Sequence, residues 1–129
     1  MKCLLDTHFL IWIVTNTRRL KRYPWLQRYV PWGVSPVSFL EIQFLAESGR
    51  LKSHSKEFIE TMKSDPRFVV DDVFVSAIVQ KALDLSWTRD PFDRLLAAHS
   101  LVRHVPLCTT DSDIQEHHKL IVSELELNP

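Results

Sequence analysis

Glycine is nearly absent from this chain of 129 residues, which holds two. A Gly-rich loop that cradles phosphates with its backbone is therefore excluded. Cysteine is as scarce. Cys3 and Cys108 both fall in expected buried strands, read as free core thiols, and offer neither a disulfide framework nor a zinc-ligand spacing. An excess of charge is also missing, because 16 Lys and Arg balance 16 Asp and Glu. Any basic surface must then be local. The early apolar stretch at residues 9–14 is too short to span a bilayer, and no signal-peptide pattern appears. The expectation is a cytoplasmic protein without a membrane segment. No serine or cysteine occupies an evident nucleophile elbow.

What is present is the balance of a globular protein, with 45% apolar and 25% charged residues. The length suits a single domain over residues 1–129. Short β-rich runs at residues 2–5, 32–35, 68–70, 105–109 and 120–122 alternate with longer helical patterns. Those patterns cover residues 7 onward, a second helix opening at Pro24, and residues 36–49, 53–63, 73–85, 91–102 and 114–118. Alternation of this kind implies parallel βαβ units. Pro24, Pro36 and Pro91 suit first helical turns, and Gly49 suits a helix end.

Four carboxylates recur where an expected strand ends or a helix begins: Asp6, Glu41, Asp93 and Asp111. In an open parallel sheet, ligands collect beyond the carboxyl ends of the strands. Acids distant in sequence can converge there, and they repel one another unless a proton or cation intervenes. Hard oxygen ligands suit Mg²⁺ or Mn²⁺, which points to metal-assisted phosphoryl chemistry.

Each acid also has a plainer role open to it. Asp6 is placed to cap a helix, with Thr7 able to share the task, and Asp90 before Pro91 reads as a cap. Either Asp111 or Asp113 can be the fourth acid. His8 can line an acidic pocket or simply pack. His99 lies too far round its helix to join Asp93. Neighbours such as His117 and His118 do not face one way, which disfavours a metal site there. The stretch carrying Arg18, Arg19, Lys21, Arg22, Tyr23 and Trp25 mixes phosphate-binding charge with stacking faces. It reads equally as an RNA groove or a protein-contact surface. Arg89 and Arg94 flank Asp93 and are expected at the pocket rim. Trp12, Trp25 and Phe58 are expected on an exposed face that supports dimerisation.

The segments Leu4-Leu5-Asp6-Thr7-His8, Ser35-x-x-Ser38-x-x-Glu41-Ile42, Asp90-Pro91-Phe92-Asp93-Arg94-Leu95-Leu96-Ala97-Ala98 and Leu107-Cys108-Thr109-Thr110-Asp111 resemble PIN-domain proteins. The VapC-like toxins of type II toxin–antitoxin systems are the nearest likeness, over almost the whole chain. The resemblance implies an α/β fold, a three-layer α/β/α sandwich around a mostly parallel four- to five-stranded sheet. It implies a homodimer, a small cognate antitoxin as partner, and Mg²⁺- or Mn²⁺-dependent cleavage of RNA by metal-activated water. Carried over by position, Asp6, Glu41, Asp93 and Asp111 match the family's acids. Ser38 and Thr110 match small hydroxyl positions that support them. Leu40 stands where relatives commonly have Trp.

Two other readings compete. A non-catalytic PIN-like module would bind RNA or protein and use the acids only structurally. A phosphatase or receiver-like domain would need a second Asp two residues after the first, where His8 stands, or a lysine after a late strand, whereas Lys119 lies past the wrong acid.

Overall fold

The computed structural model describes residues 1–52 and 55–126. Its centre is a parallel sheet of four short strands, β1 (Cys3–Leu5), β2 (Trp32–Val34), β3 (Phe68–Val70) and β4 (Leu107–Cys108), in the order β3-β2-β1-β4. The chain lays β1, β2 and β3 down in one direction and then crosses back to place β4 on the far side of β1. Strand order reverses between β1 and β4, and that reversal opens a crevice at the carboxyl edge.

The period-two alternation of a strand sorts the core into two faces. Cys3 and Leu5 point to one side with Trp32, Val34 and Cys108, under Phe9, Leu10, Ile42, Phe58 and Met62. These last residues come from α1 (Thr7–Thr15), α2 (Pro36–Glu47) and α3 (Ser55–Lys63). Leu4 and Leu107 point to the other side, against Ile114 of α6 (Ser112–His117) and Ile121. On the same chain, α4 (Val75–Ala82) packs on α5 (Pro91–Arg103) through Ile78, Ala82 and Ala98. The expected α/β architecture is therefore present, with helices flanking a parallel sheet.

Gly33 is required by packing. A Cβ there would lie 2.1 Å from the Met1 sulfur and 2.8 Å from the Cys3 carbonyl oxygen, so the neighbouring strand leaves no room for a side chain. Both cysteines are buried free thiols, as their strand positions imply.

Several expectations are corrected. The fifth strand at 120–122 is reduced to one parallel bridge between Leu107 and Ile121, because β4 itself is only two residues long. The second helix expected to open at Pro24 is a 3-10 segment, Pro24–Tyr29, and the basic stretch before it forms another, Arg18–Arg22. Pro24 has no N–H to continue a ladder and its ring breaks the first segment from the second. The start of the helix expected at 53 lies outside the described residues.

Of the apolar residues expected on a free face, one is buried and two are half-buried. Phe58 is 2% exposed, while Trp12 and Trp25 join an aromatic cluster with Phe9, Tyr23 and Tyr29. Exposure falls instead on Leu40, Phe44, Phe74, Val75, Val79 and Leu83. Among the described residues no helix is long and apolar enough to cross a membrane.

Candidate active site

Helix starts put the acids at the carboxyl edge. Asp6 follows β1 and caps α1, its Oδ1 accepting from the Phe9 N–H at 2.9 Å. Asp90 caps α5, its Oδ1 accepting from the N–H groups of Phe92 (2.9 Å) and Asp93 (3.2 Å). Asp111 caps α6, its Oδ1 accepting from the Ile114 N–H at 3.0 Å. In each case the bonds to the helix start use one carboxylate oxygen, and the positive end of a helix favours the charge. Asp93 sits in the first turn of α5, and Glu41 sits in α2, one turn beyond the buried Ser38.

These side chains line one cavity of about 380 Å³: Asp6, Glu41, Asp90, Asp93 and Asp111, with Thr7, His8, Ile11, Leu45, Arg50, Leu51, Leu96 and Ile114. Asp113 is exposed on α6 and is not part of the lining.

No Lys or Arg pairs with the acids, and none of the four ion pairs among the described residues involves them. His8 supplies the charge that opposes the rise of Asp6 and Glu41. Burial pushes the Asp93 carboxyl up to about 7, and the charges of Asp90, Asp111, Glu41 and Asp6 add to that. Burial likewise raises Asp6, against the opposing hydrogen bonds from the Phe9 N–H and the Thr109 hydroxyl. Glu41 is raised by burial, while a short hydrogen bond from the Thr7 hydroxyl works the other way. Thr7 Oγ1 also lies 3.1 Å from Ser38 Oγ. Thr7 and Ser38 thus form a polar bridge between the start of α1 and the face of α2 that carries Glu41.

The hydroxyl beside the acids after β4 is that of Thr109, not Thr110. Thr109 is fully buried, bonds Asp6, and accepts from the Asp111 N–H at 3.1 Å.

None of the basic residues expected at the rim lines the cavity. Arg18, Arg19, Lys21 and Arg22 are exposed on the first 3-10 segment, where Arg19 lies over the Trp12 ring at 5.3 Å. Arg89 is exposed. Arg94 reaches away from the acids, toward the Leu83 carbonyl oxygen at 3.5 Å. The cation that does line the cavity is Arg50, which sequence reading passed over. The signal available was Gly49, which ends α2 and turns the chain back.

A second polar cluster occupies the other half of the same edge. His99 of α5 is fully buried, with Nδ1 2.8 Å from Ser35 Oγ and Nε2 2.8 Å from Asp71 Oδ2. Arg103 donates its Nε–H to the same Asp71 oxygen at 2.7 Å. Burial alone would raise Asp71, but these bonds outweigh it and hold the carboxyl below its usual value. The Ser–His–Asp order resembles a hydrolase triad, yet Ser35 is fully buried and accepts the α2 cap bond from Val37. No substrate reaches it. His117 and His118 part as expected: His117 stacks on Trp87, and buried His118 lies 3.0 Å from Ser100 Oγ.

A family model described as PIN domain matches residues 3–120. The chain belongs to the PIN-domain family. PIN domains are generally nucleases that use divalent metals. No curated protein matches this one. Its fold is similar to that of a toxin–antitoxin complex from Klebsiella pneumoniae. The TM-score is 0.64 and the identity 17%, over 97% of this chain and 99% of the other. It is also similar to VapBC2 from Rickettsia felis, solved bound to a DNA fragment from its promoter. There the TM-score is 0.65 and the identity 16%, over 94% and 96% of the two chains. At such identity the likeness is one of fold.

Whether this PIN domain suits a divalent ion turns on its donors. The pocket offers unpaired carboxylate oxygens, the hard ligands that Mg²⁺ and Mn²⁺ prefer. Among the described residues, no three His, Cys, Asp or Glu side chains are close enough to form a ready ligand set. The donor set fits by chemistry, and closing it takes side-chain movement.

Proposed function

We propose that this PIN domain is the toxin of a toxin–antitoxin pair, a metal-dependent endoribonuclease whose site is the acid pocket. The observation that carries the reading is the carboxyl of Asp93, pushed to about 7 amid four other acids with no cation paired to them. A fold does not keep such repulsion for stability; it is the signature of a site that awaits positive charge.

Asp6, Glu41, Asp93 and Asp111 would hold one or two divalent ions. When bound, such an ion supplies Lewis acidity toward water and the phosphoryl oxygens. The protein's own part is orientation. Thr7 fixes Glu41, Thr109 and the Phe9 N–H fix Asp6, and the helix starts fix Asp90 and Asp111. Near neutral pH the Asp93 carboxyl holds a proton for part of the time, and binding a cation displaces it. The expected products carry 5′-phosphate and 3′-hydroxyl ends.

The partners follow the same reading. RNA is the substrate, and a small antitoxin inhibits by placing a basic side chain among the acids. Complexes of toxin with antitoxin among the structures of like fold support that assignment. A second copy of the chain covers the exposed stripe of Val75, Val79 and Leu83, which recur at every fourth residue and carry no charge that would need complementing. The protein works in the cytoplasm.

The deciding experiment incubates the purified protein with total cellular RNA, with and without Mg²⁺ or Mn²⁺, and maps new 5′ ends by sequencing. Discrete metal-dependent ends bearing 5′-phosphate are expected. Intact RNA under every metal condition would favour a non-catalytic binding module.

A further inference from the structure

A phosphodiester that enters this pocket meets five carboxylates. Their summed charge exceeds that of two divalent ions, so the RNA backbone needs a cation from the protein as well. Arg50 is the single Arg or Lys among the lining residues.

Its place is set by the backbone. Gly49 takes φ +78°, a left-handed conformation that side-chain-bearing residues rarely adopt. The Gly49 N–H donates to the Ala46 carbonyl at 3.2 Å, and those of Arg50 and Leu51 donate to the Leu45 carbonyl at 2.9 and 3.2 Å. This closure ends α2 and folds Arg50 back beside Leu45, which stands one turn beyond Glu41 on the same helix. Four other arginines are engaged. Arg28 pairs with Glu124, Arg67 with Asp65 and Arg103 with Asp71, and Arg94 reaches a carbonyl. Arg19 lies over the Trp12 ring, and the exposed Arg18, Arg22 and Arg89 do not line the pocket. Among the described residues Arg50 has no ion pair, and it is exposed at the mouth.

We propose that Arg50 is the substrate-positioning residue of the pocket, holding a backbone phosphate of single-stranded RNA over the carboxylates. The inference rests on the ribonuclease reading above. A guanidinium fork pairs with a phosphate through two parallel hydrogen bonds, which an ammonium cannot do. Phosphate contacts position a strand but carry no sequence information. Arg50 therefore governs how tightly RNA is held, not which bond is cut.

The test measures binding of a short fluorescein-labelled single-stranded RNA of mixed sequence by anisotropy, at several salt concentrations with Mg²⁺. The parent is Asp93→Asn, so that the RNA stays intact. Arg50→Ala should weaken binding roughly tenfold, as loss of a hydrogen-bonded charge does. It should also flatten the log–log salt slope by about 0.7, the value for one phosphate contact on a single strand. Arg50→Lys should keep the slope and recover part of the affinity. With Asp93 restored, Arg50→Ala should raise KM, leave kcat within about threefold, and cut at unchanged positions. If the parent binds RNA and Arg50→Ala binds equally with the same slope, the Arg50 assignment falls alone. A fall in kcat at constant KM would overturn it too. If the parent binds no RNA at any salt, the ribonuclease reading falls and takes this inference with it.

Discussion

Two polar clusters share the carboxyl edge of one sheet and are built on opposite terms. Around β2 and β3, Ser35, Asp71, His99 and Arg103 leave no charge unpaired, and Asp71 is held below its usual carboxylate value. Around β1 and β4, Asp6, Glu41, Asp93 and Asp111 form no ion pair among the described residues, and the first three are raised. Burial pushes upward in both places; what differs is the partner. A satisfied cluster ties α2, α5 and β3 together. The unsatisfied one gives up stability, which is what the function proposed above would require of it.

The comparison can be broken at several points. The largest effect is catalytic. Asp93→Asn keeps shape and removes charge, so RNA cleavage should fall by orders of magnitude, read as the rate of new 5′-end formation. Asp90→Asn should keep most activity; equal loss in both would mean that Asp90, not only Asp93, is a ligand. Next comes the paired cluster. His99→Ala strips two hydrogen bonds from a fully buried position. It should cost about 2–4 kcal/mol in denaturant unfolding, and a smaller loss than 1 kcal/mol would deny the cluster its structural role.

Third, Asp93→Asn should stabilise the protein in the absence of metal. The folded carboxyl is raised from 3.8 to about 7. The folded state therefore binds the proton more tightly than the unfolded one, and ionisation costs stability as pH rises through that window. At pH 8 the variant should gain on the order of 1 kcal/mol, after allowing for solvent screening. At pH 3 both states of the wild type are protonated, and the gain should vanish. Asp71 runs the other way: its contribution is present above pH 3.8 and is lost as pH falls through its lower folded value. Thermal melts across pH read both. Fourth, Mn²⁺ affinity should weaken as pH drops below about 7, because the ion competes with the Asp93 proton. Calorimetry in buffers of different ionisation enthalpy should detect proton release. The smallest effect is that of Asp90→Asn on stability, about 1 kcal/mol or less, since Asn caps nearly as well.

The sequence was most legible where a role depends on near neighbours. Asp6, Asp90 and Asp111 stand before helices that their own spacing announces, and the recurrence of acids after strands pointed to one edge. It was least legible where a role depends on what packs from elsewhere. The pattern of α4 reads as a single apolar stripe, yet Ile78 and Ala82 are covered by α5 while Val75, Val79 and Leu83 are not. Periodicity marks a face without saying which neighbour will cover it. Trp12 and Trp25 looked like surplus surface because the aromatic cluster that takes them in spans three separate segments. Arg94 looked like a rim cation from its adjacency to Asp93, but adjacent helical residues point apart. Arg50 lies nine residues past Glu41 and reaches the cavity only through the left-handed turn at Gly49.

The helix-capping acids have an evolutionary consequence. Asp6, Asp90 and Asp111 spend one oxygen on a helix start, and an Asn side-chain oxygen serves that purpose as well. Asp and Asn codons differ by a single base. On the function proposed above, a cell under selection against the toxin would silence the pocket at Asp6 or Asp111 through a point mutation that leaves folding in place. Selection for survivors of over-expression, followed by sequencing, should return Asn at these two positions more often than chain-terminating or core-disrupting changes at sites of equal mutability. A harvest dominated by unfolded variants would show that capping and chemistry are not separable here.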